Sequence, residues 1–211
     1  MRKKAIKIPN ASIKRLPMYY EYAKELKENG TKFISSSGLS DALKIDSAII
    51  RKDFSYFQIK GSKGNGYNVS RLIRLLGKLL AEDKETKAAL IGVGHLGTAF
   101  LKYSLLKRNS PKIEMAFDVD PKKVGKEIDG VPVYHINEIN DRLKPDVTVA
   151  ILTVPVAAAQ LISDRMIDLG VKGILNFTTA RLSVPDQIKL HQIDLAAELQ
   201  TLIYFINNLP M

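Results

Sequence analysis

The stretch Ala88-Ala89-Leu90-Ile91-Gly92-Val93-Gly94-His95-Leu96-Gly97-Thr98-Ala99 decides how this chain is to be read. An apolar, strand-like run ends in Gly-x-Gly-x-x-Gly, and a helical pattern (Leu96 to Leu106) begins at once. That order predicts the phosphate-binding turn between the first strand and first helix of a Rossmann unit. Gly92 permits a tight turn, Gly94 lets a pyrophosphate approach the backbone, and Gly97 lets helix and strand pack closely. The whole turn, Gly92-Val93-Gly94-His95-Leu96-Gly97, is therefore a candidate cofactor site, with the pyrophosphate on the N–H groups that open the helix. A glycine motif alone is a weak signal, and a second element supports it here. Ile113-Glu114-Met115-Ala116-Phe117 ends in Asp118, about 20 residues past the turn, where an acidic residue binds an adenosine ribose. A carboxylate there accepts hydrogen bonds from both ribose hydroxyls and repels a 2′-phosphate, which favours NAD(H) over NADP(H). The alternative is that Asp118 only opens the turn Asp118-Val119-Asp120-Pro121. Lys122 and Lys123 either reach a phosphate or are solvated surface charges.

Downstream, the α/β pattern continues. Gly130-Val131-Pro132-Val133-Tyr134 reads as a short hairpin segment, followed by a weakly marked helix near Ile136 to Leu143. Asp146 to Pro155 is a buried strand running into a loop, Val156 to Leu169 a helix stopped by Gly170, and Gly173 to Thr178 a further strand. Ligands of a parallel α/β sheet bind at the carboxyl ends of its strands. Thr153-Val154-Pro155 and Asn176-Phe177-Thr178 are thereby expected to rim the cofactor site, with ordinary loop roles as the alternative. The last segment, Asp194 to Leu209, is a helix carrying Leu195, Leu199, Leu202, Ile203, Phe205 and Ile206. So much apolar surface needs more cover than one small domain supplies, so it reads as a dimerisation helix; packing within its own subunit is the alternative.

Upstream, the chain changes character. Of its Lys and Arg residues, 18 lie in residues 1–84 against 8 Asp and Glu, whereas the remainder holds 14 of each. The entire net charge of +10 thus precedes the glycine turn, which suggests two domains, one facing a polyanion. A basic arm (residues 1–10) precedes a helix from about Ala11 or Pro17 to Lys27, stopped by Asn29-Gly30 and buried through Tyr19, Tyr22, Ala23 and Leu26. A second helix is expected within Ser37 to Leu43, with an apolar face of Leu39, Ala42 and Leu43. After a short turn, Lys44-Ile45-Asp46, a third helix runs from Ser47 to about Phe57. Ile50, Phe54 and Phe57 share one face, while Ser47, Arg51 and Ser55 share another, flanked by Lys52 and Tyr56. That is the surface of a recognition helix, whose hydroxyls and cations contact phosphates and base edges in a major groove. Gln58 to Val69 reads as a β-hairpin around glycines, a wing carrying Lys60 and Lys63. Helix, helix, helix, hairpin is a winged helix, and double-stranded DNA is its expected partner. A solvated basic face is the plainer alternative. Asn68 to Leu80 is a further helix leading into the linker Ala81 to Thr86.

Composition sets the remaining bounds. Hydrophobic content of 45% and charged content of 26% describe an ordinary globular protein. No apolar run spans a bilayer and no signal peptide is evident, so a cytoplasmic location is expected. There is no cysteine, which removes disulfides, thiol nucleophiles and thiolate metal sites. His95, His135 and His191 show no ligand spacing, and no metal is expected.

With these pieces in place, the chain resembles the family of redox-sensing repressors called Rex. The resemblance is carried by Lys14-Arg15-Leu16-Pro17, Ile50-Arg51-Lys52-Asp53-Phe54-Ser55-Tyr56-Phe57 and Gly64-Asn65-Gly66-Tyr67-Asn68-Val69. It continues through Leu90 to Gly97, Phe117-Asp118, Ala150 to Pro155 and Gly173 to Phe177. It implies an α/β protein with a winged-helix domain (1–80), a Rossmann NAD(H) domain (81–190) and a C-terminal helix swapped between subunits (191–211). It further implies a non-enzymatic homodimer that binds palindromic operators when NADH is scarce and releases them when NADH binds. By position, Tyr103 and Asp194 match the family's switch residues near the nicotinamide; on sequence grounds alone they read as a packed aromatic and a helix cap. Some members carry a first-helix arginine that pairs with this aspartate. Glu21 occupies the matching position here and cannot make that pair; Lys24 is a candidate substitute. Two rival classes are an NAD-dependent dehydrogenase with a basic appendage and a nucleotide module such as a coenzyme A domain. The first lacks an evident acid/base constellation and a substrate domain, and Asp118 argues against the second.

Overall fold

The computed structural model describes residues 8–80, 85–102 and 112–208, and the chain divides into two compact units, residues 1–84 and 85–211. In the first unit, α1 (Asn10–Glu28) contains Pro17 rather than starting there, and it ends at Asn29 with Gly30 at φ +74°. A two-residue strand, β1 (Phe33–Ile34), precedes α2 (Ser36–Leu43), whose N-terminus is capped by Ser35 accepting from the Gly38 N–H. Lys44 turns the chain in a left-handed conformation (φ +55°). Asp46 then caps α3 (Ser47–Tyr56) by accepting from the Ala48 N–H at 2.6 Å. Asn68 caps α4 (Val69–Leu79) in the same way through the Arg71 N–H. These caps satisfy amide donors that a helix start leaves unpaired, which is why the short helices begin where they do. Leu16, Tyr19, Tyr20, Ala23, Leu39, Ile50, Phe54, Ile59, Leu72 and Leu76 form the core between them. Ala42 is exposed rather than part of the apolar face of α2, which buries only Leu39 fully.

The wing differs from the expected hairpin. Gln58 has φ +57°, and the Ile59 N–H bonds back to the Phe54 carbonyl at 2.8 Å, with Gln58 N–H on Ser55. Gln58-Ile59 is therefore the left-handed C-terminal cap of α3, and Ile59 is drawn into the core instead of opening a strand. The wing closes further out, where Ser62 and Gly66 exchange backbone hydrogen bonds. Its returning arm, β2 (Tyr67–Asn68), pairs antiparallel with β1, Ile34 opposite Tyr67 and Phe33 opposite Asn68. The partner strand thus comes from before the second helix, from a segment too short to show a period of two.

The second unit is a seven-stranded sheet in the order β5-β6-β4-β3-β7-β8-β9. Its strands are β3 (Lys87–Ile91), β4 (Lys112–Asp118), β5 (Glu127–Ile128), β6 (Val131–His135), β7 (Val147–Leu152), β8 (Gly173–Asn176) and β9 (Lys189–Gln192). All pairs are parallel except β5–β6. The connecting helices are α5 (His95–Lys102), α6 (Ile139–Arg142) after a 3-10 turn, and α7 (Val156–Asp168). The central strands β3, β4 and β7 are nearly continuous apolar runs, as strands covered on both faces must be. Strand β3 has β4 on one side and β7 on the other, so the chain reverses direction across the sheet at the end of β3. That is the topological switch point, where a crevice opens at the carboxyl ends of the strands. Strand β9 was not expected: Lys189-Leu190-His191-Gln192 is an edge strand with one partly buried apolar residue, too little to stand out as a pattern. The last helix, α8 (Leu195–Asn208), buries none of its residues.

Candidate functional site

The crevice at the switch point is built by the glycine turn. A Cβ on Gly92, which sits at φ +91°, would fall 2.7 Å from the Thr153 carbonyl oxygen, and one on Gly97 would fall 2.1 Å from that of Gly92. Those two glycines are demanded by the chain's own packing. Around Gly94 a Cβ would meet nothing within 4 Å. The open approach to that backbone fits a pyrophosphate seated against it, beside the α5 N–H groups that have no intrahelical acceptor. The Thr153 hydroxyl donates to the Gly92 carbonyl at 2.6 Å, tying the end of β7 to the turn.

A cavity of about 610 Å³ opens there, lined by Gly92, Gly94, Asp118, Thr153, Val154 and Pro155 among the expected residues. Its apolar wall adds Ile91, Phe117, Ile136, Ala158 and Ile162, and its acidic end adds Val119, Asp120 and Lys123. Asp118 both opens the turn and lines the cavity. Its Oδ2 accepts from the Val93 N–H and its Oδ1 from the Asp120 N–H at 2.8 Å, so it fixes the turn while its carboxylate faces the cavity. Lys123 Nζ stands 3.8 Å from Asp118 Oδ2 and 3.4 Å from Asp120 Oδ2. The Lys122 backbone N–H and the Lys123 ammonium hold the Asp120 carboxyl below the usual carboxylate range. Val93 is buried, whereas His95 and Leu96 are exposed at the start of α5.

Other expected residues stand elsewhere. Asn176 does not line the cavity: it is fully buried, its Nδ2 donating to the Ala180 carbonyl (3.0 Å) and Gln192 Oε1 (2.7 Å) while Oδ1 accepts from the Thr178 N–H. It joins β8 to β9, a role that an apolar strand followed by Asn does not reveal. Phe177 is likewise outside the lining and packs on the Phe100 ring at 4.8 Å between centroids. Asp194 caps α8, its Oδ1 accepting from the Ala196 and Ala197 N–H groups. Lys24 is paired with Glu21 on its own helix at 2.9 Å. Tyr103 lies outside the described residues.

In the first unit, α3 presents Arg51, Lys52 and Ser55 to solvent, with Ser47 and Tyr56 half-buried and Lys60 and Lys63 exposed on the wing. The Arg51 guanidinium is held by the hydroxyls of Ser36 (3.1 Å) and Ser47 (3.2 Å), so it is pre-positioned at the α2–α3 junction. A groove of about 580 Å³ runs between α3 and the wing, lined by Arg51, Ser55, Gln58, Ile59, Lys60 and Gly61. Beneath it lies a group not anticipated. Asp53, 1% exposed, accepts from Arg15 Nε (2.6 Å), Arg15 Nη2 (2.7 Å) and the Tyr19 hydroxyl (2.6 Å). Burial pushes the Asp53 carboxyl up, but hydrogen bonds from Arg15, Tyr19 and Ser12 and the guanidinium charge outweigh it and hold it low. The signal was present in the sequence: Asp53 falls on the same helical face as Ile50, Phe54 and Phe57, and a carboxylate there requires a buried cation.

Comparison with known proteins agrees with both halves. Residues 7–55 match the family model described as "Putative DNA-binding protein N-terminus", and residues 83–180 match the CoA binding domain model. The chain is 56% identical over 204 residues to the redox-sensing transcriptional repressor Rex of Geobacillus kaustophilus, covering 97% of this chain and 96% of that one. It is also 56% identical over 204 residues to the Rex protein of Bacillus cytotoxicus, covering 97% and 98%. Among solved structures, that of RSP with β-NAD+ and operator DNA superposes with a TM-score of 0.89 at 34% identity, covering 95% of this chain and 93% of RSP. RSP with β-NADH gives 0.85 at 33% identity, covering 95% of each chain. Identity of this level over nearly the whole length, together with the recognition helix and the glycine turn, places the chain in the Rex family of redox-sensing transcriptional repressors.

Proposed function

We propose that this chain is a transcriptional repressor, not an enzyme, that senses the balance of NADH and NAD+. It acts in the cytoplasm as a homodimer on palindromic operator DNA. The observation that carries this reading is the occurrence, on one chain, of an arginine-bearing recognition helix and a dinucleotide turn whose middle glycine has open space above it. Arg51, Lys52, Ser55 and Tyr56, with Ser47 behind them, meet the DNA, and Lys60 and Lys63 contact its backbone from the wing. Gly92 to Gly97, Asp118 and Thr153 to Pro155 hold the dinucleotide. Oxidised nicotinamide is cationic and the reduced ring neutral, so a nearby carboxylate or apolar wall distinguishes them. Asp194 and Tyr103 are the residues assigned to that discrimination. Release of DNA requires NADH to bind the DNA-incompetent arrangement more tightly, and by linkage DNA then weakens NADH binding by the same factor. Among the described residues no helix is long and apolar enough to cross a membrane.

A second reading, a coenzyme A module, is favoured by the family description of residues 83–180. Coenzyme A carries a phosphate on its adenosine ribose, which the Asp118 carboxylate disfavours. One experiment separates these readings: fluorescence-anisotropy binding to labelled palindromic DNA at fixed salt, with NADH, NAD+ or coenzyme A added. Specific binding released by NADH but not by NAD+ is the expected result. Release by coenzyme A, or indifference to all three, overturns the assignment.

A further inference from the structure

We infer that Lys123 is a specificity-setting partner of Asp118: its ammonium limits how strongly the ribose end of the cleft rejects a phosphorylated adenosine ribose, and it becomes the phosphate receptor once the Asp118 charge is removed. This rests on the dinucleotide reading proposed above.

The cavity is apolar along most of its wall, and its charged groups gather at one end as Asp118, Asp120 and Lys123. Asp118 is held in place by the Val93 and Asp120 N–H groups, and its side chain is 9% exposed. The carboxylate that greets the ribose is thus fixed. Lys123 is the movable member, half-buried on a flexible stem and shared between the Asp118 and Asp120 carboxylates at 3.8 and 3.4 Å. Two carboxylates against one ammonium leave this end with one net negative charge. A ribose with free hydroxyls is accepted, while a 2′-phosphate meets that net charge, diluted by the ammonium. A cation beside the ribose site is also what a 2′-phosphate needs. Asp118 and Lys123 therefore act in opposite directions on the same choice, and replacing one should expose the other.

The test uses the full chain, which contains no tryptophan, and reads NADH and NADPH binding by nicotinamide fluorescence. The variants are Asp118→Asn, Lys123→Met, their combination, and Lys126→Met as a charge-matched control outside the cavity lining; thermal melts confirm that each is folded. Asp118→Asn keeps an acceptor for the Val93 N–H while removing the charge. The expected wild-type preference is for NADH. Lys123→Met raises the NADH-to-NADPH affinity ratio by about tenfold. Asp118→Asn lowers it by at least about tenfold, and adding Lys123→Met removes that gain in NADPH binding. The control leaves the ratio unchanged. A ratio that Lys123→Met does not move, or an NADPH gain in Asp118→Asn that survives loss of Lys123, overturns the inference while leaving NADH sensing intact. A wild-type protein that binds neither dinucleotide overturns the dinucleotide reading itself, before any variant is compared.

Discussion

Arg15 on α1 grips Asp53 on the recognition helix in a two-pronged ion pair, Nε to Oδ2 at 2.6 Å and Nη2 to Oδ1 at 2.7 Å. The Asp53 carboxylate is buried, so it depends on this partner, with the Tyr19 and Ser12 hydroxyls, to replace the hydration it lost on leaving water. Breaking such a pair from one side strands a buried charge and costs about 3–5 kcal/mol. Arg15→Ala should therefore lower unfolding stability of the DNA-binding unit by that order in urea titrations. Replacing both residues, Arg15→Met with Asp53→Leu, should restore a substantial part of it. An Arg15→Ala protein as stable as wild type would show that the pair contributes little.

The same pair sets an acid limit. The Asp53 carboxyl is lower in the folded protein than in the unfolded chain. Its stabilising contribution is then complete above the unfolded value of about 3.9 and is lost as pH falls through the depressed folded value. Urea midpoints measured from neutral pH down to about 3 should fall more steeply for wild type than for Asp53→Asn. Parallel curves for the two proteins would assign the acid sensitivity to other carboxylates. Glu114 is one, held down to about 2 by hydrogen bonds from Lys112 and Lys144.

The two units differ in how far their sequence discloses them. The Rossmann half is legible because its central buried strands are nearly continuous apolar runs and the turn after β3 carries glycines at fixed offsets. What escapes there is what has no period: the edge strand β9, and the cavity-facing Val119 and Asp120, brought there because Asp118 folds the next turn back upon itself, whereas Lys123 is already a candidate phosphate contact in the sequence. In the winged-helix half, Ile50 and Phe54 mark the buried face of α3 without ambiguity. The wing misleads because Gln58-Ile59-Lys60 has strand-like composition, whereas a left-handed Gln58 makes it a helix cap. Asn176 looked like a rim residue by position alone; its amide is consumed by Gln192, a partner 16 residues away that no local pattern links to it.

The glycine turn gives a prediction that separates packing from binding. Gly97→Ala drives a Cβ into the Gly92 carbonyl, a backbone atom that cannot step aside, so overpacking of about 1–3 kcal/mol is expected in the thermal unfolding of the protein. Gly94→Ala meets no protein atom and should leave stability within about 0.5 kcal/mol of wild type. Yet it places a methyl group where a pyrophosphate is proposed to lie, so NADH affinity should fall by at least about tenfold in fluorescence titration. Retention of full NADH affinity by a folded Gly94→Ala protein would move the ligand away from this turn.

Arg51 is held by Ser36 and Ser47 hydroxyls at the mouth of the groove between α3 and the wing. A guanidinium so placed is suited to a base edge, whereas the exposed Lys60 and Lys63, which have no such support among the described residues, are suited to phosphates. Arg51→Ala should cost about 1–3 kcal/mol of operator binding and relax preference at one position. Lys63→Ala should weaken binding evenly across sequences and reduce the salt slope by about one. NADH affinity should be untouched by either. Loss of NADH binding along with DNA binding in a folded Arg51→Ala protein would contradict separate sites.

Helix α8 presents Leu195, Leu199, Leu202, Ile203 and Ile206 at helical spacing on one stripe, with exposures from 47% to 70%, and Tyr204 and Phe205 beside it. A helix of this composition gains roughly 25 cal/mol for each Å² of apolar surface it can remove from water. Nothing within the described residues buries it, so a second copy of the chain is the proposed cover. Leu202→Asp combined with Ile203→Asp puts charge in the middle of that stripe without touching the buried core of either unit. In light scattering the wild type is expected as a dimer and the variant as a monomer. The variant should then bind a palindromic operator far more weakly than wild type, because two linked half-site contacts become one. Its affinity for an isolated half-site should be preserved, which distinguishes lost dimerisation from a damaged recognition helix. A variant that stays dimeric would show that another surface joins the subunits, and that α8 packs elsewhere.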